Sequence, residues 1–187
     1  MRIALLADVH GDLEALEAVL RDAERRGAEG VVHLGDLAGG ADPAGVVARV
    51  RADGVSGVVG DADLEVLEEP GTPEEVRSFL KDLPAQMLLQ EGDAGFLLVH
   101  ASPEGARRGL DEATPEPRLE HIFAVTGVQV IVCGHTHRPL ARRVGERVLL
   151  NPGCVGRGLG PDPRPSYLIL DTESGLAALH VRVDVCR

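Results

Sequence analysis

Val130-Ile131-Val132-Cys133-Gly134-His135-Thr136-His137 is the stretch that decides how this chain is read. A run of β-branched apolar residues closed by glycine predicts a buried strand ending in a tight turn, and the turn carries two imidazoles. Imidazole is the commonest metal ligand in proteins. A His-x-His pair is equally at home in a hydrogen-bonded loop, so its meaning depends on what other strands bring to the same place.

The N-terminal part brings a good deal. Residues 3–7 are a continuous apolar run that breaks at Asp8-Val9-His10, after which Leu13, Leu16, Leu20 and Ala23 recur at helical spacing up to Gly27. Residues 31–34 repeat the strand and break at Gly35-Asp36. Asp42-Pro43 is a helix start, a cap followed by proline at the first helical position, with Val46, Val47 and Val50 as its apolar stripe. A third strand over 55–59 ends at Gly60-Asp61. Strands alternating with helices through short connections predict a parallel sheet with right-handed crossovers, an α/β architecture.

Beyond residue 70 the texture changes. Thr72-Pro73-Glu74-Glu75 predicts a capping box opening a short helix that carries Val76, Phe79 and Leu80. Residues 86–90 and 96–99 predict a hairpin around 91–95, its second strand ending at His100. Thr114-Pro115 opens another helix, with Leu119, Ile122 and Phe123 inward and Gly127 as its stop. Past His137, short strands over 140–144, 148–150, 167–170 and 176–183 predict a second, largely antiparallel sheet, with 156–165 an ordered surface loop. The expected fold is α/β, two packed mixed β-sheets flanked by helices, over a single domain spanning 1–187.

Composition bounds the function. At 187 residues, 44% hydrophobic and 26% charged, the chain can bury one substantial core. A formal net charge of −11 disfavours nucleic acid and anionic membranes as partners, because both demand a basic face. Cys133, Cys154 and Cys186 show no C-x-x-C spacing, and an odd number cannot pair fully within the chain. That suits a reducing cytoplasm. The apolar run at the N-terminus is too short for a signal peptide and is broken by Asp8, and no later run approaches membrane-spanning length.

Five predicted strands end in potential metal ligands: Asp8 with His10, Asp36, Asp61, His100, and His135 with His137. In α/β sheets the carboxyl ends of the strands open onto one crevice. Any one of these residues is accounted for by a helix cap or a turn; seven together are not. Mixed Asp and His donors without thiolate suit two divalent ions such as Mn, Fe, Ni or Zn, with one carboxylate bridging them.

Asp8-x-His10, Gly35-Asp36, Gly60-Asp61-x-Asp63, His100 and Gly134-His135-x-His137, in this order, resemble the calcineurin-like metallophosphoesterases. Asn151-Pro152-Gly153 and the segment 166–171, with the length and the lack of a cap domain, resemble the family's small prokaryotic phosphodiesterase branch. The resemblance implies a double β-sandwich. It implies that Asp8, His10, Asp36 and His137 hold one metal, that Asp36, Asp61, His100 and His135 hold the other, and that Asp36 is the bridge. It implies hydrolysis of a small phosphoester, a diester before a monoester, by a metal-bound hydroxide without a covalent protein nucleophile. Asp63 and Asn151 are candidates to orient the ligands from behind, and Arg107, Arg108 and Arg138 to contact a substrate phosphate.

Two positions depart from the family pattern. Asp61 stands where asparagine is usual, in a chain whose sole asparagine is Asn151, and Ala62 stands where larger members carry a histidine that assists the leaving group. The competing expectation is a metal-binding interaction scaffold of the same fold, like a subunit of the retromer complex, with little catalysis. Oligomeric state, homo-oligomer included, is left open by the sequence.

Overall fold

The computed structural model describes residues 1–91, 94–156, 162–172 and 177–185. Its elements in chain order are β1 (Arg2–Leu6), α1 (Leu13–Arg25), β2 (Gly30–His33), α2 (Pro43–Ala52), β3 (Ser56–Gly57), α3 (Asp61–Glu68), α4 (Glu74–Lys81), β4 (Gln86–Glu91), β5 (Ala94–Val99), α5 (Glu116–Thr126), β6 (Val130–Val132), β7 (Leu140–Val144), β8 (Arg147–Asn151), β9 (Ser166–Asp171) and β10 (Ala177–Arg182). They form two five-stranded sheets, ordered β10-β9-β1-β2-β3 and β4-β5-β6-β8-β7.

The continuous apolar runs follow from strands covered on both faces. Along β1, Ile3 and Leu5 point between the sheets while Ala4 and Leu6 face α1. Along β6, Val130 and Val132 point inward, and Ile131 packs with Phe123 and Ile122 of α5. Phe96, Leu98, Leu150, Leu168 and Leu170 complete the layer between the sheets. Each such side chain, fully buried, contributes about 1.5–3 kcal/mol. Helices lie outside both sheets, so the polar ends of the strands are left as the place where loops can converge.

Several local signals act as expected. The Asp42 side chain accepts the Gly45 N–H at 2.8 Å with Pro43 opening α2, and Gly127 ends α5 in the left-handed conformation at φ 71°.

The structure corrects other expectations. The late strands do not form a separate antiparallel sheet: β9 pairs antiparallel with β1, and β10 with β9, extending the N-terminal sheet. The second sheet is mixed, with β5, β6 and β8 parallel and β4 and β7 antiparallel at its edges. The third strand is only Ser56–Gly57. Thr72 is not the cap of α4, because its hydroxyl donates back to the Val66 and Glu69 carbonyls at the end of α3. The turn at 92–93, residues 157–161 of the loop 156–165, residue 176 at the start of the last expected strand, and Cys186 lie outside the described residues.

Candidate metal centre

All seven candidate ligands lie in loops or helix starts that follow β1, β2, β3, β5 and β6. They converge as two groups: Asp8, His10, Asp36 and His137, and Asp61, His100 and His135, with the donor atoms of each group within 4.8 Å of one another. Asp36 joins the groups. Its Oδ2 stands 3.6 Å from His10 Nε2 and 3.4 Å from His100 Nε2.

The backbone is bent to achieve this. Among the described residues, the non-glycine residues with positive φ are Asp8, His10, Asp36, His135 and His137, all candidate ligands, between 47° and 66°. Left-handed backbone is uncommon for residues with a Cβ and is held only where surrounding bonds fix it. Here the bonds run between ligand loops: Asp8 N–H to Gly35 O, His10 N–H to Asp36 O, and Gly134 N–H to His100 O. In the left-handed turns of His135-Thr136-His137 both imidazoles face the centre, His135 Nδ1 lying 2.9 Å from Asp61 Oδ1 and His137 Nε2 3.7 Å from Asp8 Oδ1. Gly35 and Gly60 are needed for close approach, since a Cβ on Gly35 would lie 2.6 Å from Gly60 N and one on Gly60 would strike the Asp36 carboxylate.

Behind the ligands sit Asp63 and Asn151, both fully buried. Asp63 accepts the N–H groups of Asp36, Ala38 and Gly60 at 2.8–2.9 Å, tying the β2 loop to the start of α3. Asn151 donates to Gly134 O at 2.7 Å and Thr136 Oγ1 at 3.1 Å, and its Oδ1 accepts Gly153 N–H. The two orient opposite sides of the centre. His100 is fixed as firmly: Nδ1 meets Leu34 O at 2.7 Å, so Nε2 faces the ligands.

The electrostatics are strained. Burial pushes the Asp8 carboxyl up to about 8 despite the His135 backbone N–H that its two oxygens share. Burial opposes charge on His100 too and is the largest single influence, but hydrogen bonding to Asp36, the charges of Asp36 and Asp8 and the bond to Leu34 O together outweigh it and hold the imidazole at about 9. Asp36 resists burial in turn and is held below the usual carboxylate range by His100. Burial lowers His137, and His10 beside it adds to the effect, their Nε2 atoms being 3.2 Å apart. Among the described residues, fully buried Asp8 has no guanidinium or ammonium in an ion pair with it, and two imidazole nitrogens share a gap that one proton can bridge only once. Three carboxylates and four imidazoles on a rigid frame fit divalent cations, which would neutralise the carboxylates and use both imidazole lone pairs.

The remaining expectations divide. Arg107 pairs with Glu65 at 2.8 Å and Arg108 with Glu104 at 3.1 Å, so both are engaged at the surface. Arg138 is exposed beside Thr136 on the His137 loop, with no ion pair among the described residues. His33 is buried behind β2, held neutral by burial with its titration pushed down to about 3, and is no ligand. His180 bonds Asn151 O at 2.7 Å, and His121 is exposed on α5. What the sequence reading missed is α3, whose first residue is Asp61. The acidic first turn after Gly60 is the signal that marks it.

Comparison with known proteins agrees with this geometry. The profile of the calcineurin-like phosphoesterase superfamily domain matches residues 1–175. Phosphodiesterase YfcE of Escherichia coli K12 is 32% identical over 184 residues, covering 92% of this chain and 89% of the relative. The crystal structure of a metallophosphoesterase from Sphaerobacter thermophilus superposes with a TM-score of 0.82 at 28% identity, covering 100% of this chain and 90% of the other. A structure of Yfce from E. coli superposes at 0.64 and 26%, covering 98% and 100%. With strands, ligand order and profile coinciding over nearly its full length, the chain belongs to the calcineurin-like phosphoesterases, hydrolases of phosphoric esters that work with divalent metal ions.

Proposed function

We propose that residues 1–187 act as one domain that binds two divalent ions and hydrolyses small phosphodiesters. The observation that carries the reading is the position of Asp36, one carboxylate 3.6 Å from His10 of one ligand group and 3.4 Å from His100 of the other. Asp8, His10, Asp36 and His137 would hold one ion, and Asp36, Asp61, His100 and His135 the other. Two ions there would activate a water and clamp the phosphoryl oxygens in an in-line displacement. The water oxygen bonds to phosphorus, the P–O bond to one alcohol breaks, and that alcohol leaves with the electron pair.

The protein's own part is positioning. Asp63 and Asn151 keep the ligand loops in place, and Leu34 O keeps His100 Nε2 directed at the centre. Arg138, exposed on the His137 loop and without an ion pair among the described residues, is placed to meet a substrate phosphate; Arg107 and Arg108 are held by glutamates. Mixed Asp and His donors suit Mn, Fe, Ni or Zn. The diester preference is supported by the name of the E. coli relative, and cytoplasmic residence by the cysteine usage. Among the described residues no helix is long and apolar enough to cross a membrane. An interaction scaffold would not require seven coordinating side chains to converge.

The test is hydrolysis of bis(p-nitrophenyl) phosphate and p-nitrophenyl phosphate by metal-stripped protein with Mn, Ni, Zn or Mg restored, beside His135→Ala. Metal-dependent cleavage, faster for the diester and lost in the variant, is expected. No turnover with any ion, despite bound metal, would overturn the assignment.

A further inference from the structure

A groove of about 920 Å³ runs between α3 and the loop that follows His100. Both of its walls grow out of the metal centre. One is α3, which begins at candidate ligand Asp61 and brings Leu64 into the groove one helical turn, about 5 Å, further on. The other leaves β5 at His100 and returns at Gly109, where an added Cβ would come within 3.0 Å of the His135 ring. The Arg107–Glu65 pair, with 2.8 Å between nitrogen and oxygen, joins the two walls. The volume is that of a small-molecule site.

Its lining is selective. Leu64, Leu67, Pro70 and Ala106 give it apolar surface, and Leu64 is 41% exposed. Glu65 and Glu104 are neutralised by arginines, whereas Glu68 and Glu69 carry no ion pair among the described residues and leave the groove negative.

Resting on the phosphodiesterase reading above, we infer that this groove receives one alcohol arm of the diester, a partly apolar arm of several carbons without negative charge. Apolar contact holds the arm, and the two unpaired carboxylates exclude anionic substituents. The preferred substrates are thus diesters of neutral or amine-bearing alcohols, not nucleotides or other polyanions.

Symmetric dialkyl phosphates test this, because whichever arm enters the groove is the arm being varied. Dimethyl, dibutyl and bis(2-carboxyethyl) phosphate would be compared as inhibitors of chromogenic diester hydrolysis by the metal-loaded protein. Dibutyl phosphate should inhibit at least tenfold more tightly than dimethyl phosphate, and the dicarboxylate most weakly. Ala106→Trp, filling the groove, should bring the butyl-to-methyl ratio to within about twofold of one, and Glu68→Lys with Glu69→Lys should remove the penalty on the dicarboxylate. Equal inhibition by all three, or a butyl advantage that survives Ala106→Trp, would overturn the groove assignment while leaving the phosphodiesterase intact. No chromogenic hydrolysis with any metal would overturn the function on which it rests.

Discussion

The two ligand groups solve the same problem differently. In the group of Asp8, His10, Asp36 and His137 every residue has a left-handed backbone, both carboxylates are buried, and the contacts to carboxylate are stretched to 3.6–3.7 Å. In the other group only His135 has positive φ; Asp61 starts a helix and His100 ends a strand. Asp61 Oδ1 there already meets His100 Nε2 at 2.8 Å and His135 Nδ1 at 2.9 Å. The first group is shaped by backbone strain and, among the described residues, has no arginine or lysine paired with its carboxylates, whereas the second holds itself together through the proton on His100. A cation therefore completes the first and replaces a proton in the second.

The largest effect should come at the residue that stands between the groups, Asp36, 3.6 Å from His10 and 3.4 Å from His100. Asp36→Ala should lower turnover by about 10⁴-fold, roughly 5 kcal/mol in the barrier, and reduce bound metal at both sites, which hydrolysis assays and elemental analysis would show. Loss of only one equivalent of metal would separate the groups and contradict the shared role of Asp36.

Asp63→Ala should come next, acting on stability. It leaves the N–H groups of Asp36, Ala38 and Gly60 without their acceptor. At about 1–3 kcal/mol for each buried donor, partly relieved by water entry, a loss of about 3 kcal/mol and a Tm lower by roughly 10 °C are expected. Because Asp63 ties both groups together, metal restored to the variant should recover neither completely. Asp63→Asn, which keeps the size and one acceptor, should lose less.

Protonation sharpens the contrast. In the metal-free protein Asp8 is raised from 3.8 to about 8 and His100 from 6.5 to about 9. Both groups bind protons more tightly folded than unfolded. Their contribution is full below the unfolded values and is lost as pH rises through the folded ones. The metal-free Tm should therefore fall progressively from about pH 4 to about pH 9, most steeply between about pH 6.5 and pH 8 where both groups contribute, and the metal-loaded Tm should not. Metal uptake at pH 7 should release about two protons, measurable by calorimetry in buffers of different ionisation enthalpy. Asp8→Asn should remove about one of them, the one from the strained group. At the acid end His33, lowered from 6.5 to about 3, contributes stability present above 6.5 and lost as pH falls toward 3.

Much of this arrangement could be read before the structure, and the unread part has a common cause. Ligand identity was legible because apolar runs locate strand ends, and seven Asp and His residues stand immediately after them. The left-handed turns were not, because Asp and His tolerate φ near 60° better than most residues with a Cβ but adopt it only rarely; bonds from distant loops impose it. Likewise the joining of β9 to β1 pairs Arg2 with Asp171, a partnership that periodicity cannot reveal. The helix at α3 was hidden because Asp61 had been assigned to the end of a strand, although the same residue also begins a helix.

The smallest effect should come from Asp61→Asn, and it bears most directly on the second group. An amide oxygen can accept from His100 and His135 as the carboxylate does, so the geometry should survive. What changes is charge. Two divalent ions against carboxylates at 8, 36 and 61 retain one positive charge; with asparagine at 61 they retain two, so metal should be held less tightly and an anionic diester attracted more. These opposed effects should keep kcat within about threefold of the parent, while metal dissociation quickens and KM falls. Titration with a chelator, read beside the KM for a chromogenic diester, separates them. A fall in activity comparable to that of Asp36→Ala, under saturating metal, would mean that the carboxylate charge at 61 is required, and that the second group depends on charge as strongly as the first.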